Sequence, residues 1–496
     1  MRFDLTTSRF VETGARADAW AVIGADRALR WRELAARAHV WAERARELGF
    51  AADVPVIVHG HKEAAFFVAM VGALLLGAPF VPVDTIYPDE RMQRIAATVG
   101  ARIYFDAHAD RFVNLDGQDA STDTAPVAAQ ALHEKNLAYV LFTSGTTGEP
   151  KGVQIGRESV ALLAEWMASD FALGGAPVFL NQAPFSFDLS MYEVFGTLAL
   201  GGTLVLASRS LIAQGASFLD RLAEHGVTTW VSTPSFAHQQ LLNPQFSQAG
   251  LPTLDTFLFC GEVLPVALAK QLRQRFPAAR IVNTYGPTEA TVATTWIVVD
   301  DAILAQHARL PIGYAKRDAD VFIDEGELCI AGDHVMRGYL NRGDLNAVRM
   351  FTRNGQRAFR TGDLGAREAD GLLFCHGRID EQVKLAGYRI ELMEIDAALR
   401  ALEGIESAAA VALRRPDGTV ARIVAFVATG CDDGRLPEAL HDWKRQLATR
   451  LPPYMIPSEL LACDSLPVSV NFKTDRARLA ENYRDHHLKA QHQRDA

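Results

Sequence analysis

The sequence has few cysteines, no excess of basic residues and no long apolar run that is free of glycine and proline. Lys and Arg number 50 against 59 Asp and Glu, which gives a net charge of −9 and argues against nucleic-acid binding. Cysteines this few and scattered argue against a disulfide framework or a Cys-x-x-Cys zinc site, so we expect a reducing cytoplasm. The five cysteines stand at positions 260, 329, 375, 431 and 463.

The most apolar stretch runs from Ala64 to Val83 and raises the question of a membrane span. Gly72, Gly77 and Pro79 interrupt it, and a β-branched strand pattern follows. We therefore predict a buried helix leading into a short strand, with no span. The first residues carry no apolar run of the kind found in signal peptides, so export is not expected.

The length of 496 residues predicts two domains, since a single core stops growing at about 250–300 residues. Helical and extended patterns alternate at first, with strands at Val56–His59 and Leu137–Phe142 and a polar surface connection over Asp106–Asn136. Short strands and glycines dominate Leu310–Cys375, and a compact α+β pattern follows Arg378. The predicted fold class is α/β multidomain. It has a large N-terminal domain of layered α/β subdomains plus a β-rich subdomain, and a small C-terminal α+β domain.

A segment rich in glycine and hydroxyl groups follows the predicted strand Leu137–Phe142. Its sequence is TSGTTGEPKG, residues 143–152. The glycines allow close approach of a ligand, the hydroxyls can donate to phosphate oxygens, and Lys151 adds a positive charge. The Gly-Lys-Ser/Thr order of a Walker A loop is missing. The segment thus predicts phosphate binding, and it resembles the phosphate loop of the adenylate-forming enzymes.

Further motifs resemble that family in the family's own order. They are NTYGPTE (283–289), FRTGD (359–363), GRID (377–380), KLAGYRIE (384–391), PYMIP (453–457) and NFKTDR (471–476). The resemblance covers about residues 10 to 480. It implies an N-terminal adenylation core at 1–379, a mobile C-terminal lid at 380–480 with its hinge at Asp380, and a hydrophilic tail at 481–496.

The resemblance also implies roles around a nucleotide, with ATP and Mg²⁺ as the expected cofactors. Lys473 and Lys151 would be the catalytic lysines, and Glu289 would hold Mg²⁺, which prefers oxygen ligands. Tyr285 would stack on adenine, and Asp363 would accept the ribose hydroxyl protons. The residues expected to bind ATP are Thr143, Ser144, Gly145, Thr146, Thr147, Asn283, Thr284, Tyr285, Gly286, Pro287, Thr288, Asp363, Arg378 and Lys473.

Asp188 points to an amino acid as the activated acid. In amino-acid-activating members the matching Asp pairs with the substrate ammonium, and a buried Asp without a partner is costly. The positions carried over for the pocket are mostly apolar and include no second acid, which predicts a small neutral side chain. They are Asp188, Leu189, Tyr192, Ser232, Leu258, Cys260, Thr284, Val292 and Ala293.

Within the family, four strings are similar to the D-alanine–carrier protein ligases. They are NQAPFSFDLS (181–190), STPSF (232–236), FLFCGEVLP (257–265) and NTYGPTEATVA (283–293). D-Alanine is therefore the first expectation. Tyr192 stands where a smaller residue is expected, so a stand-alone enzyme for glycine, serine, L-alanine or proline in a natural-product pathway stays open.

Two other classes of function stay open beside amino-acid activation. An acyl-CoA synthetase is one, and Asp188 argues against it. A non-catalytic relative is the other, because Phe472 stands where the family usually has glycine. The Asp-Ser-Leu string at 464–466 lacks the context of a carrier domain. We therefore expect a separate phosphopantetheinylated carrier protein as the acceptor, and neither nucleic acid nor membrane as a partner.

Overall fold

The computed structural model divides into two compact units. The first contains the residues up to Thr85, Ile95–Phe142 and Lys151–Ile379, and the second contains Ile86–Arg94, Thr143–Pro150 and the residues from Asp380 onward. The long segment of the second unit thus begins at the residue predicted as the hinge, while hinge motion stays a prediction. The residues described are 16–120, 131–145, 149–415, 418–429, 436–463, 465–467 and 474–484.

The strands and helices of the described residues are numbered along the chain. The strands are β1 Trp20–Ile23, β2 Ala28–Arg30, β3 Val56–Gly60, β4 Phe80–Asp84, β5 Ile103–Asp106, β6 Arg111–Asn114, β7 Leu137–Thr143, β8 Lys151–Gly156, β9 Val178–Asn181, β10 Thr203–Leu206, β11 Thr229–Ser232, β12 Thr256–Phe259, β13 Arg280–Tyr285, β14 Thr295–Val298, β15 Tyr314–Ala315, β16 Asp320–Asp324, β17 Glu327–Ala331, β18 Gly338–Tyr339, β19 Met350–Arg353, β20 Gln356–Arg367, β21 Leu373–Arg378, β22 Gln382–Leu385, β23 Tyr388–Glu391, β24 Ser407–Arg414, β25 Val420–Ala428 and β26 Glu459–Cys463. The α-helices are α1 Trp31–Glu47, α2 Ala64–Leu76, α3 Asp89–Val99, α4 Arg157–Ser169, α5 Ser190–Leu200, α6 Arg209–Ala213, α7 Ala216–Glu224, α8 Pro234–Gln240, α9 Val266–Arg275, α10 Asp301–Gln306, α11 Gly343–Arg349, α12 Leu392–Arg400 and α13 Leu436–Leu447.

The largest sheet described in the first unit has the strand order β15-β14-β13-β12-β11-β9-β10-β1-β2. Its strands β10, β9, β11, β12 and β13 are parallel neighbours, so their carboxyl ends share one edge. Ligands of α/β proteins bind at such an edge. Asn181, Ser232, Phe259 and Tyr285 end four of these strands. The predicted α/β architecture is confirmed.

A second sheet in this unit has the order β18-β8-β7-β4-β3-β5-β6. The apolar stretch forms the buried helix α2 and then strand β4, as predicted. In the part of the chain that was searched, no helix combines the length and apolarity needed to cross a bilayer. The prediction for Asp106–Asn136 is wrong in one place, because Arg111–Asn114 pairs antiparallel with β5 and closes the sheet edge.

The β-rich part is a sheet in which β16, β17, β20 and β19 follow one another and β21 pairs with β20. Its register places Asp363 directly opposite Arg378. The pairing of β20 with β21 therefore brings together two residues that the sequence assigned to the nucleotide.

The second unit combines the hairpin β22–β23 with a sheet of β24, β25 and β26. Ile390, Ile395, Leu399 and Trp443 belong to its buried core. Residues 476–484 are helical, and Tyr483 is buried in a smaller cluster against the outer face of this sheet. Contacts of this unit thus continue into the segment predicted as a tail, of which 485–496 lie outside the described residues.

Candidate active site

Three predicted nucleotide residues form one hydrogen-bonded group in the first unit. The Tyr285 hydroxyl donates to Asp363 Oδ2 at 2.6 Å, and Arg378 Nη1 donates to Asp363 Oδ1 at 3.0 Å. Burial, together with the charge of Asp363, raises the pKa of Tyr285 well above its ordinary value. Both carboxylate oxygens are thereby fixed, which is a suitable arrangement for a group that must orient a sugar.

The segment before Glu289 is held by its own backbone and side chains. Asn283 Nδ2 donates to the carbonyl of Pro311 at 2.8 Å, so this amide is occupied by the chain itself. Gly286 has no room for a side chain, because a Cβ atom there would lie 2.5 Å from Ala293 Cα. Thr288 is buried, and its carbonyl accepts from Thr291 N at 3.2 Å. The predicted binding segment is therefore held in place by contacts with the rest of the chain.

Glu289 is fully buried beside a tyrosine that the motif did not indicate. The Tyr339 hydroxyl donates to Glu289 Oε1 at 2.5 Å, and Lys151 Nζ lies 5.8 Å from the centre of the Tyr339 ring. Lys151 and Glu289, predicted from separate motifs, are thus neighbours of the same side chain. Among the described residues no group of three or more His, Cys, Asp or Glu could hold a metal. The donor set fits a Mg²⁺ ion only if nucleotide phosphates supply most of its ligands.

The beginning of the phosphate loop belongs to the second unit, where residues of strand β23 and helix α12 bind it. Ser144 Oγ donates to the Arg389 carbonyl at 2.8 Å and accepts from Glu391 N at 3.2 Å. Gly145 N donates to Glu394 Oε2 at 3.0 Å. A carboxylate therefore occupies a backbone donor that the sequence assigned to phosphate. The predicted residues Thr146 and Thr147 lie outside the described residues, and Thr143 Oγ1 is buried without a described hydrogen-bond partner.

Glu394 is also paired directly with a buried arginine. Arg91 Nη1 lies 2.7 Å from Glu394 Oε1, and both side chains are almost fully buried. Burial raises the pKa of Glu394, while Arg91 and the Gly145 amide oppose the rise. The sequence did not indicate this pair, because its members are 303 positions apart and neither stands in a motif quoted above.

The predicted amino-acid pocket is assembled from four neighbouring elements of the first unit. The Tyr192 hydroxyl donates to Thr284 Oγ1 at 3.2 Å, and Cys260 Sγ lies 3.7 Å from the Val292 carbonyl. Burial raises the pKa of Tyr192 well above its usual range, and the nearby charges of Cys260 and Asp188 add to the rise. Asp188 is therefore close to the group formed by Tyr192 and Thr284. The remaining predicted pocket residues are all buried: Leu189, Ser232, Leu258, Val292 and Ala293.

One wall of this pocket has an uncommon backbone. Thr291 and Val292 have φ angles of 56° and 69°, in the left-handed region that a β-branched residue rarely adopts. Ala293 N donates to the Thr291 carbonyl at 2.9 Å, and Thr291 Oγ1 donates to the His334 carbonyl at 2.6 Å. Strain of this kind tends to concentrate at functional sites. Sequence patterns gave no sign of it.

The structure places most of the predicted site but not all of it. Lys473, the predicted catalytic lysine, and Phe472 beside it lie outside the described residues. Asp380 is described, and its Oδ1 accepts from Gln382 N at 3.3 Å. The roles of these residues stay predictions.

Comparison with known proteins agrees with this arrangement. Residues 11–340 match the AMP-binding enzyme family, and residues 394–473 match the AMP-binding enzyme C-terminal domain. A protein of Bacillus velezensis named D-alanine–D-alanyl carrier protein ligase is 37% identical, covering 86% of this chain and 89% of its own. A protein of the same name from Bacillus licheniformis is 35% identical, covering 97% and 99%.

A solved structure shows the same fold. The crystal structure of the Vibrio cholerae adenylation domain AlmE, in complex with glycyl-adenosine-5'-phosphate, superposes with a TM-score of 0.81 at 23% identity, covering 97% of both chains. The family match at residues 11–340 spans more than half of the sequence. The chain is a member of the AMP-binding enzyme family and an AMP-forming ligase.

Proposed function

We propose that this ligase activates a small neutral amino acid, with D-alanine as the first candidate, and transfers it to a carrier protein. Two relatives that are 35% and 37% identical over most of the chain carry the name D-alanine–D-alanyl carrier protein ligase. The observation that carries the proposal is the position of Asp188 near Tyr192, among the buried residues predicted to line the amino-acid pocket. A carboxylate there would pair with the ammonium group of an amino acid, and the mostly apolar residues predicted around it favour a small neutral side chain.

In the first step a carboxylate oxygen of the amino acid attacks the α-phosphorus of ATP. A new P–O bond forms, the bond to the β-phosphate oxygen breaks, and pyrophosphate leaves. This step depends on positioning and charge stabilisation. Lys151 and, as an expectation, Lys473 supply positive charge, while Tyr285, Asp363 and Arg378 hold the nucleoside.

In the second step a thiol receives the aminoacyl group. The thiolate sulfur of a phosphopantetheine arm attacks the carbonyl carbon of the aminoacyl-AMP, a thioester forms, and AMP leaves with the electron pair. The carrier protein bearing that arm is a separate chain. A rotation about Asp380 between the two steps is part of the proposal, since such rearrangements can assemble two sites in turn.

Mg²⁺ is proposed as the second cofactor, with Glu289 as its protein ligand. Mg²⁺ commonly binds through one or two carboxylates together with substrate phosphates, which suits a single buried carboxylate near Lys151. When bound it would neutralise charge on the departing pyrophosphate. The proposed place of action, the cytoplasm, rests on the cysteine pattern alone and stays a prediction.

Glycine is the second candidate substrate, and Tyr192 is the reason. This side chain is fully buried and its hydroxyl is tied to Thr284, so it takes up volume where a substrate side chain would lie. ATP–pyrophosphate exchange with glycine, D- and L-alanine, serine and proline would rank these substrates. Exchange with none of them would contradict the proposal, and CoA thioester formation from a simple carboxylic acid would favour an acyl-CoA synthetase.

Replacing Asp188 by Asn tests the recognition of the ammonium group. We expect kcat/KM for the amino acid to fall about 100-fold or more, because a charged partner is lost. ATP binding, followed by equilibrium titration, should stay close to that of the unchanged protein. Asp255→Asn serves as the control, since Asp255 is exposed on the same unit. Equal exchange rates for Asp188→Asn and the control would show that Asp188 does not bind the substrate.

A further inference from the structure

Lys62 is a buried lysine to which none of the motifs assigns a role. It is 4% exposed and follows strand β3. Its Nζ donates to the Asn181 side-chain oxygen and, at 2.5 Å, to the Ala183 carbonyl. The same atom lies 4.6 Å from the centre of the Phe185 ring, an arrangement typical of a cation–π contact. All three partners lie in the segment that leads into Asp188.

A chain of short turns connects these partners to Asp188. Phe187 N donates to the Pro184 carbonyl at 2.9 Å, and Ser190 N donates to the Phe187 carbonyl at 3.1 Å. Met191 N donates to the Asp188 carbonyl at 2.8 Å, which joins the turn to helix α5. Each bond joins residues three positions apart, so short turns connect the backbone from Pro184 to Met191. A group that fixes Ala183 and Phe185 therefore also fixes the position of Asp188.

Glu193 lies on the other side of Asn181 from Lys62. This carboxyl is fully buried, and its Oε1 accepts from Asn181 Nδ2 at 3.4 Å. Asn181 thus bridges the lysine and the glutamate through its own oxygen and nitrogen. Glu193 directly follows Tyr192, a pocket residue, on helix α5. Lys62, Asn181 and Glu193 consequently contact both the segment that leads to Asp188 and the helix that carries Tyr192.

A purely structural role accounts poorly for a lysine at this place. Burying a charge costs more than burying an apolar side chain of similar length, and buried ion pairs are often replaced by apolar residues without loss of stability. Methionine would fill the same space. The donors of Lys62 are instead all directed at the segment that ends in Asp188.

We infer that Lys62, bridged by Asn181 to Glu193, is a positioning residue for amino-acid recognition, holding Asp188 where it meets the substrate ammonium group. The inference rests on the proposed function. It adds a residue that binds no substrate atom itself and acts through the segment Asn181–Asp188.

Lys62→Met tests this role, with Lys62→Arg as the conservative variant and Lys270→Met as the control. Lys270 is exposed on helix α9 of the same unit. Exchange kinetics should show the KM for the amino acid raised about tenfold in Lys62→Met, with the KM for ATP within twofold of the unchanged protein. Lys62→Arg should recover a large part of the loss, because it restores a cation with donors.

Each outcome decides the inference. A fall in kcat with both KM values unchanged would indicate only a smaller folded fraction and would overturn it, as would unchanged kinetics. If Lys62→Met fails to fold, Lys62→Arg and Glu193→Gln decide instead. We expect a several-fold rise in amino-acid KM in Glu193→Gln, and unchanged values in both variants would overturn the inference. If the unchanged protein exchanges with no amino acid, the proposed function fails instead.

Discussion

Glu394 and Glu193 are buried carboxylates that each have a buried cation nearby, and the two pairs are built differently. Arg91 and Glu394 of the second unit are in direct contact at 2.7 Å. Lys62 and Glu193 of the first unit are joined only through the amide of Asn181. The first pair has a strong hydrogen bond between charges, while in the second pair each charge meets a neutral amide.

The difference appears in their protonation. Burial raises the pKa of Glu193 to about 8 and lowers the pKa of Lys62 to about 7, so both groups are drawn towards neutrality. The pKa of Arg91 is raised instead, because the attraction of Glu394 outweighs the effect of burial. Burial also raises the pKa of Glu394, with Arg91 and the Gly145 amide opposing the rise. The two pairs therefore differ in the cation, which stays charged in the direct pair and can lose its proton near neutral pH in the bridged pair.

The largest effect should follow from breaking the direct pair. Arg91→Met leaves Glu394 buried without its cation, and we expect the free energy of unfolding to fall by about 3–5 kcal/mol. Chemical denaturation measures it. Arg94→Met is the matched control on the same helix, since Arg94 pairs with Glu90 near the surface and should contribute less than about 1 kcal/mol. Equal losses in both variants would contradict the direct pair.

Breaking the bridged pair should cost less. Lys62→Met leaves the Asn181 oxygen and the Ala183 carbonyl without their donor, which costs about 2–3 kcal/mol. Glu193 can avoid an unpaired charge by keeping its proton. Protonation is less favourable for Glu394, because its carboxylate accepts a hydrogen bond from Gly145 N. The same denaturation experiment applies. A loss as large as that of Arg91→Met would remove the distinction between the two pairs.

The pH dependence of stability should separate the pairs further. Between pH 5 and 7 the native Glu193 keeps a proton that the unfolded chain has lost, so the free energy of unfolding falls as the pH rises. Lys62 acts with the opposite sign, and only above about pH 7. Glu193→Gln should therefore remove about 2 kcal/mol of the decline between pH 5 and 7. An unchanged slope would mean that Glu193 is ionised throughout this range.

The smallest effect should come from a buried bond without charges. Tyr192→Phe removes the hydrogen bond to Thr284 Oγ1, which has a second partner in the Phe259 carbonyl. We expect a loss of about 0.5–1.5 kcal/mol in the free energy of unfolding, with no pH dependence between pH 5 and 8. If Tyr192→Phe lowers the free energy of unfolding more than Lys62→Met does, charge does not explain the larger losses expected at Arg91 and Lys62.

The nucleotide side of the site was predictable from the sequence. Its motifs are short and contiguous. Tyr285 ends strand β13 of the largest sheet, and Asp363 and Arg378 lie opposite each other on the antiparallel strands β20 and β21. Tyr285, Asp363 and Arg378 were predicted from separate motifs, and the structure joins them by hydrogen bonds. Local sequence is sufficient here because each motif is a continuous segment of the chain that can be recognised without knowing the fold.

The buried pairs were not predictable in the same way. Arg91 and Glu394 look like ordinary residues of amphipathic helices, where charges usually face the solvent. Lys62 precedes an apolar helix, and the sequence alone would predict that its side chain is exposed to solvent. Burial is a property of the assembled fold, and a single sequence does not state which charged residues it encloses. The edge strand Arg111–Asn114 was missed for a related reason, since it is short and flanked by polar residues.

The contact of Gly286 with Ala293 bears on how the choice of substrate could change during evolution or design. Any side chain at Gly286 would meet the backbone of the opposite segment, whose Thr291 and Val292 already have an unfavourable conformation. The backbone of Gly286 and of residues 291–293 is therefore too closely packed to shift and admit a larger amino acid. New selectivity has to arise from side chains such as Tyr192 and Cys260, one replacement at a time, while the backbone around them stays as it is.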